Sequence, residues 1–391
     1  MHAAGIESGL PMEVVASYDV SEICSEAYRH NYGNQSWRLK TIERLSVEEL
    51  DSLHADVWLM SPPCQPFTRS GKRQDHEDNR TLGLLHLVRV IGEMRHPPFA
   101  ILLENVIGFE RSECRKRLLR ALVALGGWEG AEWALDPEDF GLPNRRPRYY
   151  ALFRVAGNAY VGEGSTVWRP VSELHRDSES EVSPTLLGAP AEVGPPLPLG
   201  EFLQARTAIE KEEAELGRSL EVPQEVMQQR ADKEGRYDIH LSSDTTSACL
   251  TKMNGKLPKG FSPLVLVDEA EAGPLEQRPK VSAQGEGPGR ATDHVWRPGV
   301  RVRYLSPIEQ LRLMGYPETY SFPPSLGFKE RAGLIGNSLN VRIVSCLIQV
   351  LLPGAVPANK AADVLSAAGT GDGATGAAAL VARGWGPRLR R

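Results

Sequence analysis

The 391-residue chain has few cysteines: Cys24, Cys64, Cys114, Cys249 and Cys346, odd in number and widely scattered. That pattern excludes a dense disulfide framework, and no pair stands at a spacing suited to zinc, so a reducing cytosol or nucleus is the expected compartment. Long apolar runs are missing too. The most apolar stretch, Val344 to Leu352, is half the roughly 18 residues that cross a bilayer and includes Gln349, so a buried helix is expected there and no membrane partner. Met1 to Val15 has no apolar core behind a basic end, so it does not read as a signal peptide. There is also no surplus of positive charge. With 45 Lys plus Arg against 50 Asp plus Glu, the net charge is −5, which leaves any nucleic-acid binding to local basic patches. The hydrophobic share of 41% and charged share of 24% are those of an ordinary globular protein, long enough for one large domain and a smaller one.

The first half alternates strand-like and helix-like segments, which predicts an α/β fold with a parallel sheet and helices on its faces. Val14 to Tyr18 reads as a buried strand ending at Asp19, followed by a helix capped by Ser21 with Ile23 and Ala27 on one side. Asp56 to Met60 is the next strand, stopped by Pro62-Pro63. Thr81 to Arg95 carries Leu82, Leu85, Val88 and Ile91 at helical period, and Phe99 to Leu103 reads as another buried strand. Ser112 caps a basic helix ending at Gly126-Gly127, and Arg148 to Val155 closes the block as a strand. This predicts a first ordered block over 1–156, a linker over 157–200 and a second, weaker unit over 201–300. Within the last, a charged helix is expected near Glu201 to Leu216, short strands at Ser247 to Thr251 and Leu264 to Val267, and a flexible insertion over 268–300. Order returns over 301–352, with helices opened by Ser306-Pro307 and running from Val341 to Leu352, and 353–391 form an Ala/Gly-rich disordered tail.

Four short motifs carry chemistry. Ser61-Pro62-Pro63-Cys64-Gln65-Pro66-Phe67 follows a strand directly, at the carboxyl end where open α/β sheets place their sites. Its prolines stiffen the loop that holds the thiol, and Arg69, Lys72 and Arg73 supply the positive surroundings that favour a thiolate. An inert thiol in a proline-rich turn fits that loop equally well. Leu103-Glu104-Asn105-Val106 sends an acid out of an apolar strand, where burial is costly without a partner or a task. A strand-end carboxylate capping the next turn is the plainer reading. Asn144-Arg145-Arg146-Pro147-Arg148-Tyr149 sets Arg146 and Arg148 on one strand face, with planar forks suited to a phosphate or a base oxygen, or forming a solvated basic edge. Gly336-Asn337-Ser338-Leu339-Asn340 reads as the opening of the final helix, able to meet a cofactor or the catalytic loop, and taken alone as an ordinary cap.

In this order the four motifs resemble the cytosine-5 methyltransferase family over roughly 1–155 and 300–352. Within it the chain is most similar to the tRNA(Asp) cytosine-5 methyltransferases. That closer likeness rests on Leu59 to Arg69, on Leu102 to Val106 with Gly108-Phe109-Glu110, on Gly141 to Asn144 and on Gly336 to Val341. The resemblance implies a Rossmann-like methyltransferase sheet with a smaller target-recognition domain, and S-adenosylmethionine as methyl donor. It implies that Cys64 is the nucleophile on carbon 6 of cytosine, that a protonated Glu104 hydrogen-bonds ring nitrogen 3, and that Arg146 and Arg148 steady the flipped base. Asp19 would hold the ribose hydroxyls, Ile42 and Glu43 would lie beside the adenine, Ser61 would line the same pocket, and Asn337 and Ser338 would complete the cofactor site. The implied substrate is a tRNA anticodon loop, where unstacking a base costs least; DNA is the less expected substrate and a monomer the expected state. Two basic clusters, Arg111 with Arg115, Lys116, Arg117 and Arg120, and Arg145 with Arg146 and Arg148, are the candidate RNA contacts, unless they are solvated faces.

The chain departs from the family pattern at its front. A strand and a glycine-rich turn are expected before Asp19, in a unit of about 30 residues. Only 18 residues precede Asp19, with glycines at Gly5 and Gly9 alone. Either the start is misassigned or part of the cofactor site is lost, which admits a nucleic-acid-binding pseudoenzyme as a reading. In the recognition region the family's Cys-Phe-Thr element is Cys249-Leu250-Thr251 here. A cysteine hydrolase is a weaker alternative, because no histidine pairs with Cys64 in a recognisable motif.

Overall fold

The computed structural model describes residues 1–67, 75–158, 166–180, 186–188, 194–231, 238–252, 254, 263–275, 294 and 296–353. Arg69, Lys72 and Arg73, most of the expected insertion, parts of the linker and nearly all of the tail lie outside the described residues.

The first block runs α1 (His2–Glu7), β1 (Ser17–Asp19), α2 (Glu22–Tyr32), β2 (Trp37–Leu39), α3 (Val47–Ser52), β3 (Val57–Met60), α4 (Leu82–Val90), β4 (Ala100–Val106), α5 (Glu113–Leu125), β5 (Trp128–Leu135), β6 (Arg148–Val155), β7 (Arg169–Pro170) and α6 (Val171–Ser178). The second runs α7 (Arg206–Leu216), α8 (Gln224–Ala231), β8 (Asp238–His240), β9 (Pro263–Leu266), α9 (Glu269–Ala272) and β10 (Val302–Tyr304), and the chain ends in α10 (Pro307–Leu313), α11 (Phe328–Asn337) and α12 (Val341–Leu351).

The main sheet has the order β3-β4-β6-β5-β7, with β3 and β4 parallel and the other pairs antiparallel. β4 is apolar at consecutive positions because both its faces are covered. Leu102, Tyr150 and Leu152 face α12, whose Val344, Leu347, Ile348 and Leu351 recur at helical period, together with Ala3 and Ala4 of α1. Ile101, Leu103, Tyr149 and Phe153 face Leu118, Leu119 and Leu122 of α5. Each such fully buried side chain contributes roughly 1.5–3 kcal/mol by leaving water. The stretch 328–351 is apolar enough over its length to pass for a membrane span, but it is two helices parted by residues 338–340, and α12 is mostly buried in this core.

β1 and β2 pair with each other in parallel as a separate two-stranded sheet. Among the described residues no strand pairs with the outer edge of β3. Tyr18 of β1 and Trp58 of β3 nevertheless pack on one apolar cluster around Leu45, Leu50 and Val90. A third sheet, β10-β9-β8, belongs to the second block with its own core of Ile239, Leu264, Val302 and Trp296.

Several sequence expectations need correction. The strand at residues 128–135 is not expected, because Gly130 and Glu132 disfavour strands. Both have a packing reason: a Cβ at Gly130 would meet the Phe153 ring at 2.6 Å. Buried Glu132 takes a two-pronged ion pair from Arg115 (2.7 and 2.6 Å) and a hydrogen bond from Tyr149. The helix expected to reach Arg95 stops at Val90, with Leu82 exposed and Leu84, Val90 and Ile91 buried. Ile23 is exposed while Ala27 is buried. Residues 247–251 form no strand, and the ends of the expected insertion are ordered: α9 forms, and Trp296 and Val300 are buried.

Candidate active site

Parallel pairing sets Met60 opposite Leu103, so the loop after β3 and the end of β4 emerge side by side. Cys64 is half-buried and precedes a single 3₁₀ turn, Gln65–Phe67, closed by the Phe67 N–H donating to the Cys64 carbonyl at 3.0 Å. Three contacts bolt this loop to β4. Asn105 Nδ2 donates to the Pro62 carbonyl at 3.2 Å, and the Phe67 ring meets Phe109 edge-on at 4.9 Å. A Cβ at Gly108, whose φ of +116° already favours glycine, would lie 3.3 Å from the Phe67 carbonyl oxygen.

Antiparallel register pairs Glu104 with Tyr150 and Val106 with Arg148, so Glu104 and Arg148 share a sheet face. Arg148 Nε stands 3.7 Å from Glu104 Oε1. Burial pushes the Glu104 carboxyl above its ordinary range, outweighing the opposite pull of Arg148 and Arg146. The Met1 amino group is also buried nearby; desolvation brings it down to about 6 despite attraction to Glu104. The raised pKa of Glu104 favours the protonated acid, the form that donates a hydrogen bond to a ring nitrogen.

Arg146 does not share this arrangement. It is 4% exposed, and its guanidinium donates to the carbonyls of Leu250 (2.6 Å), Ser338 (2.6 Å) and Gly336 (3.2 Å). The structure thus sets Arg148 against Glu104, while Arg146, whose charge also reaches Glu104, spends its guanidinium hydrogen bonds on three carbonyls and the Cys249 sulfur. Around it, Asn144 Nδ2 donates to the Ala248 carbonyl at 3.0 Å, the Arg145 N–H to Ser247 O at 3.0 Å, and Ser247 Oγ to the Pro143 carbonyl at 2.6 Å. A Cβ at Gly336 would sit 2.1 Å from the Thr251 carbonyl carbon, so backbone approaches backbone there. Sequence reasoning missed Ser247 and Ala248 as parts of this junction; the Cys249-Leu250-Thr251 element was the one signal pointing to it.

The cofactor candidates divide. Asp19 ends β1 half-buried, and its Oδ1 accepts from the Ser21 N–H at 2.8 Å. Ile42 and Glu43 start a 3₁₀ turn approached by Gly83 of α4, where a Cβ would be 3.3 Å from Ile42 Cβ. With exposed Val20, Leu39 and Leu82, this half offers a carboxylate and apolar surface that fit a ribose and a base. Ser61 is exposed at the end of β3. Gly336 and Asn337 end α11 and Ser338 is its C-cap, while Asn340 caps α12 by accepting from the Ile343 N–H. The motif thus closes one helix and, through Asn340, opens the next as expected, while Ser338 offers its carbonyl to Arg146 and its N–H to Ile335 O.

The first basic cluster is corrected at Arg115. Arg115 is 1% exposed and locked to Glu132, Arg117 pairs with Glu113 at 3.3 Å, and Arg120 with Glu179 at 3.4 Å. Arg111 remains well exposed. Among the described residues, no group of three or more His, Cys, Asp or Glu is placed to hold a metal.

The profile of the C-5 cytosine-specific DNA methylase family matches residues 2–352. The chain is 32% identical to a DNA (cytosine-5)-methyltransferase of Dictyostelium discoideum, covering 90% of this chain and 91% of the relative. It is 30% identical to the tRNA (cytosine(38)-C(5))-methyltransferase of Homo sapiens, covering 90% and 96%. Its fold superposes on a crystal structure of Spodoptera frugiperda DNMT2 with a TM-score of 0.66 at 26% identity, covering 90% of this chain and 95% of that one. The chain belongs to the C-5 cytosine methyltransferase family, with the methyltransferase fold and the methyl donor, S-adenosylmethionine, that the family uses.

Proposed function

We propose that this protein methylates carbon 5 of a cytosine in RNA, in the anticodon loop of tRNA(Asp), through a covalent adduct on Cys64. The observation that carries the reading is the placement of Cys64 and Glu104 at the ends of two adjacent parallel strands, with Arg148 beside the acid. The Cys64 thiolate adds to carbon 6 of the flipped base while the Glu104 proton is shared with ring nitrogen 3, so electron density moves to carbon 5. Arg148 steadies the base, and Arg146 holds the recognition segment against the catalytic floor. Bound S-adenosylmethionine supplies the methyl group, and Asp19, Ile42, Glu43 and Ser61 hold its nucleoside end. Loss of the carbon 5 proton to water then expels Cys64 as its thiolate, returns the ring-nitrogen proton to Glu104 and restores the aromatic ring.

The tRNA reading is supported by relatives named tRNA (cytosine(38)-C(5))-methyltransferase. In this reading 1–156 and 301–352 form the catalytic part, 201–300 the recognition region, and the protein acts as a monomer in cytosol or nucleus. The test compares methyl transfer from labelled donor to tRNA(Asp) transcript and to duplex DNA, with Cys64→Ala as control. Incorporation into tRNA that is lost in Cys64→Ala supports the reading; transfer to DNA alone replaces the substrate. A second reading, a nucleic-acid-binding protein that does not hold the donor, is favoured by the separation of the β1-β2 sheet from β3. Calorimetric binding of S-adenosylmethionine removes it.

A further inference from the structure

Under the recognition segment lie two buried histidines and a half-buried aspartate that no step above uses. His240 ends β8 with no exposed surface, and His294 is 3% exposed. Asp244 stands between them, its Oδ2 3.6 Å from His240 Nδ1 and 3.3 Å from His294 Nε2. On its other side the His240 ring accepts the Ala248 N–H at Nε2, at 3.2 Å. A lone pair on Nε2 leaves the neutral ring with its proton on Nδ1, directed at Asp244. Asp244 is itself fixed: its carboxylate accepts from the Leu241 N–H at 2.9 Å, and its carbonyl from the Leu199 N–H at 2.7 Å. Burial raises its carboxyl, but the two flanking histidines and the Leu241 N–H outweigh burial, and the net position is below the ordinary carboxylate range.

Ala248 belongs to the run that grips the motif before β6. Asn144 donates to Ala248 O, Arg145 to Ser247 O and Arg146 to Leu250 O, at 3.0, 3.0 and 2.6 Å. Arg148, which faces Glu104, follows two residues later. We propose that His240 is a positioning residue: oriented by Asp244 between it and His294, it holds Ala248, and through the 247–250 run it sets the backbone that delivers Arg148 to Glu104. The consequence for catalysis rests on the methyltransferase reading; the consequence for backbone order does not.

The test uses the full chain. In the native protein, nitrogen-15 spectra of the His240 ring should show the Nδ1–H tautomer at neutral pH. His240→Phe keeps the ring volume but removes the acceptor, and should speed hydrogen exchange at the Arg145 amide about tenfold or more. His240→Gln returns an acceptor and should recover most of that protection. With tRNA transcript, His240→Phe should lower kcat about tenfold while KM changes by less than about twofold, and His240→Gln should restore kcat. A ring carrying its proton on Nε2, or a folded His240→Phe with native exchange at Arg145, overturns the proposal. If His240→Phe does not fold, the native tautomer decides. If neither protein methylates tRNA, the spectra and exchange still decide, and only the methyltransferase reading fails.

Discussion

Arg148 Nε stands 3.7 Å from Glu104 Oε1, and yet the Glu104 carboxyl lies above its ordinary range, not below it. A guanidinium at that distance favours the carboxylate, but the acid's burial at the end of β4 costs the charged form more. The shift is thus toward the proton-donating form, where a simple ion pair would shift the acid toward the acceptor.

The sign of this shift gives the first prediction. A carboxyl raised above its ordinary value near 4.5 contributes stability that is complete below that value and lost as pH rises through the folded pKa. Glu104→Gln removes the titration, so urea midpoints of native protein and variant should diverge as pH rises above about 4.5, with the variant the more stable. The same variant should lose activity by about 10²-fold or more, since an amide cannot share a proton with the ring.

Gly336→Ala should separate the recognition segment from the catalytic floor. Its Cβ would fall 2.1 Å from the Thr251 carbonyl carbon and 2.3 Å from Lys252 N, both backbone atoms that cannot rotate aside. Urea denaturation should show a loss of roughly 1–3 kcal/mol, as in overpacked cores. A neutral outcome would mean the junction is loose.

Arg115 should behave as a core residue. It is sealed against Glu132 and Tyr149 between α5 and the sheet. Arg115→Met strands Glu132 and should cost roughly 3–5 kcal/mol, while Arg115→Met with Glu132→Leu should recover much of it. Filter binding of tRNA by the double variant should match the native protein. A fall in affinity with stability intact would return Arg115 to the RNA surface.

Asp19→Ala should weaken S-adenosylmethionine by about tenfold or more, the usual effect of losing a charged hydrogen-bond acceptor. Isothermal calorimetry measures this directly. Unchanged affinity would place the ribose elsewhere.

Much of the catalytic part was legible because its signals are local. β6 coincides with its expected span, and Ser112 and Gly126 bracket α5 as expected, since caps and apolar runs are properties of neighbouring residues. β5 was not legible: Gly130 is explained by the Phe153 ring, and Glu132 by Arg115 and Tyr149, all distant in sequence. The period that puts Arg146 and Arg148 on one face says nothing of the carbonyls 104 and 192 residues away that claim Arg146. Gly336 to Asn340 opens α12 through the Asn340 cap as expected, but that its first residues also end α11 was not legible, because α11 carries a weak apolar signal.

The most direct test of the account is mass spectrometry of the protein incubated with S-adenosylmethionine and tRNA(Asp) carrying 5-fluorocytidine, whose fluorine cannot leave as a proton and so traps the adduct. The account predicts one stable crosslink, at Cys64, that is absent in Cys64→Ala. A crosslink at another cysteine, or methylation of ordinary tRNA that survives Cys64→Ala, would contradict it.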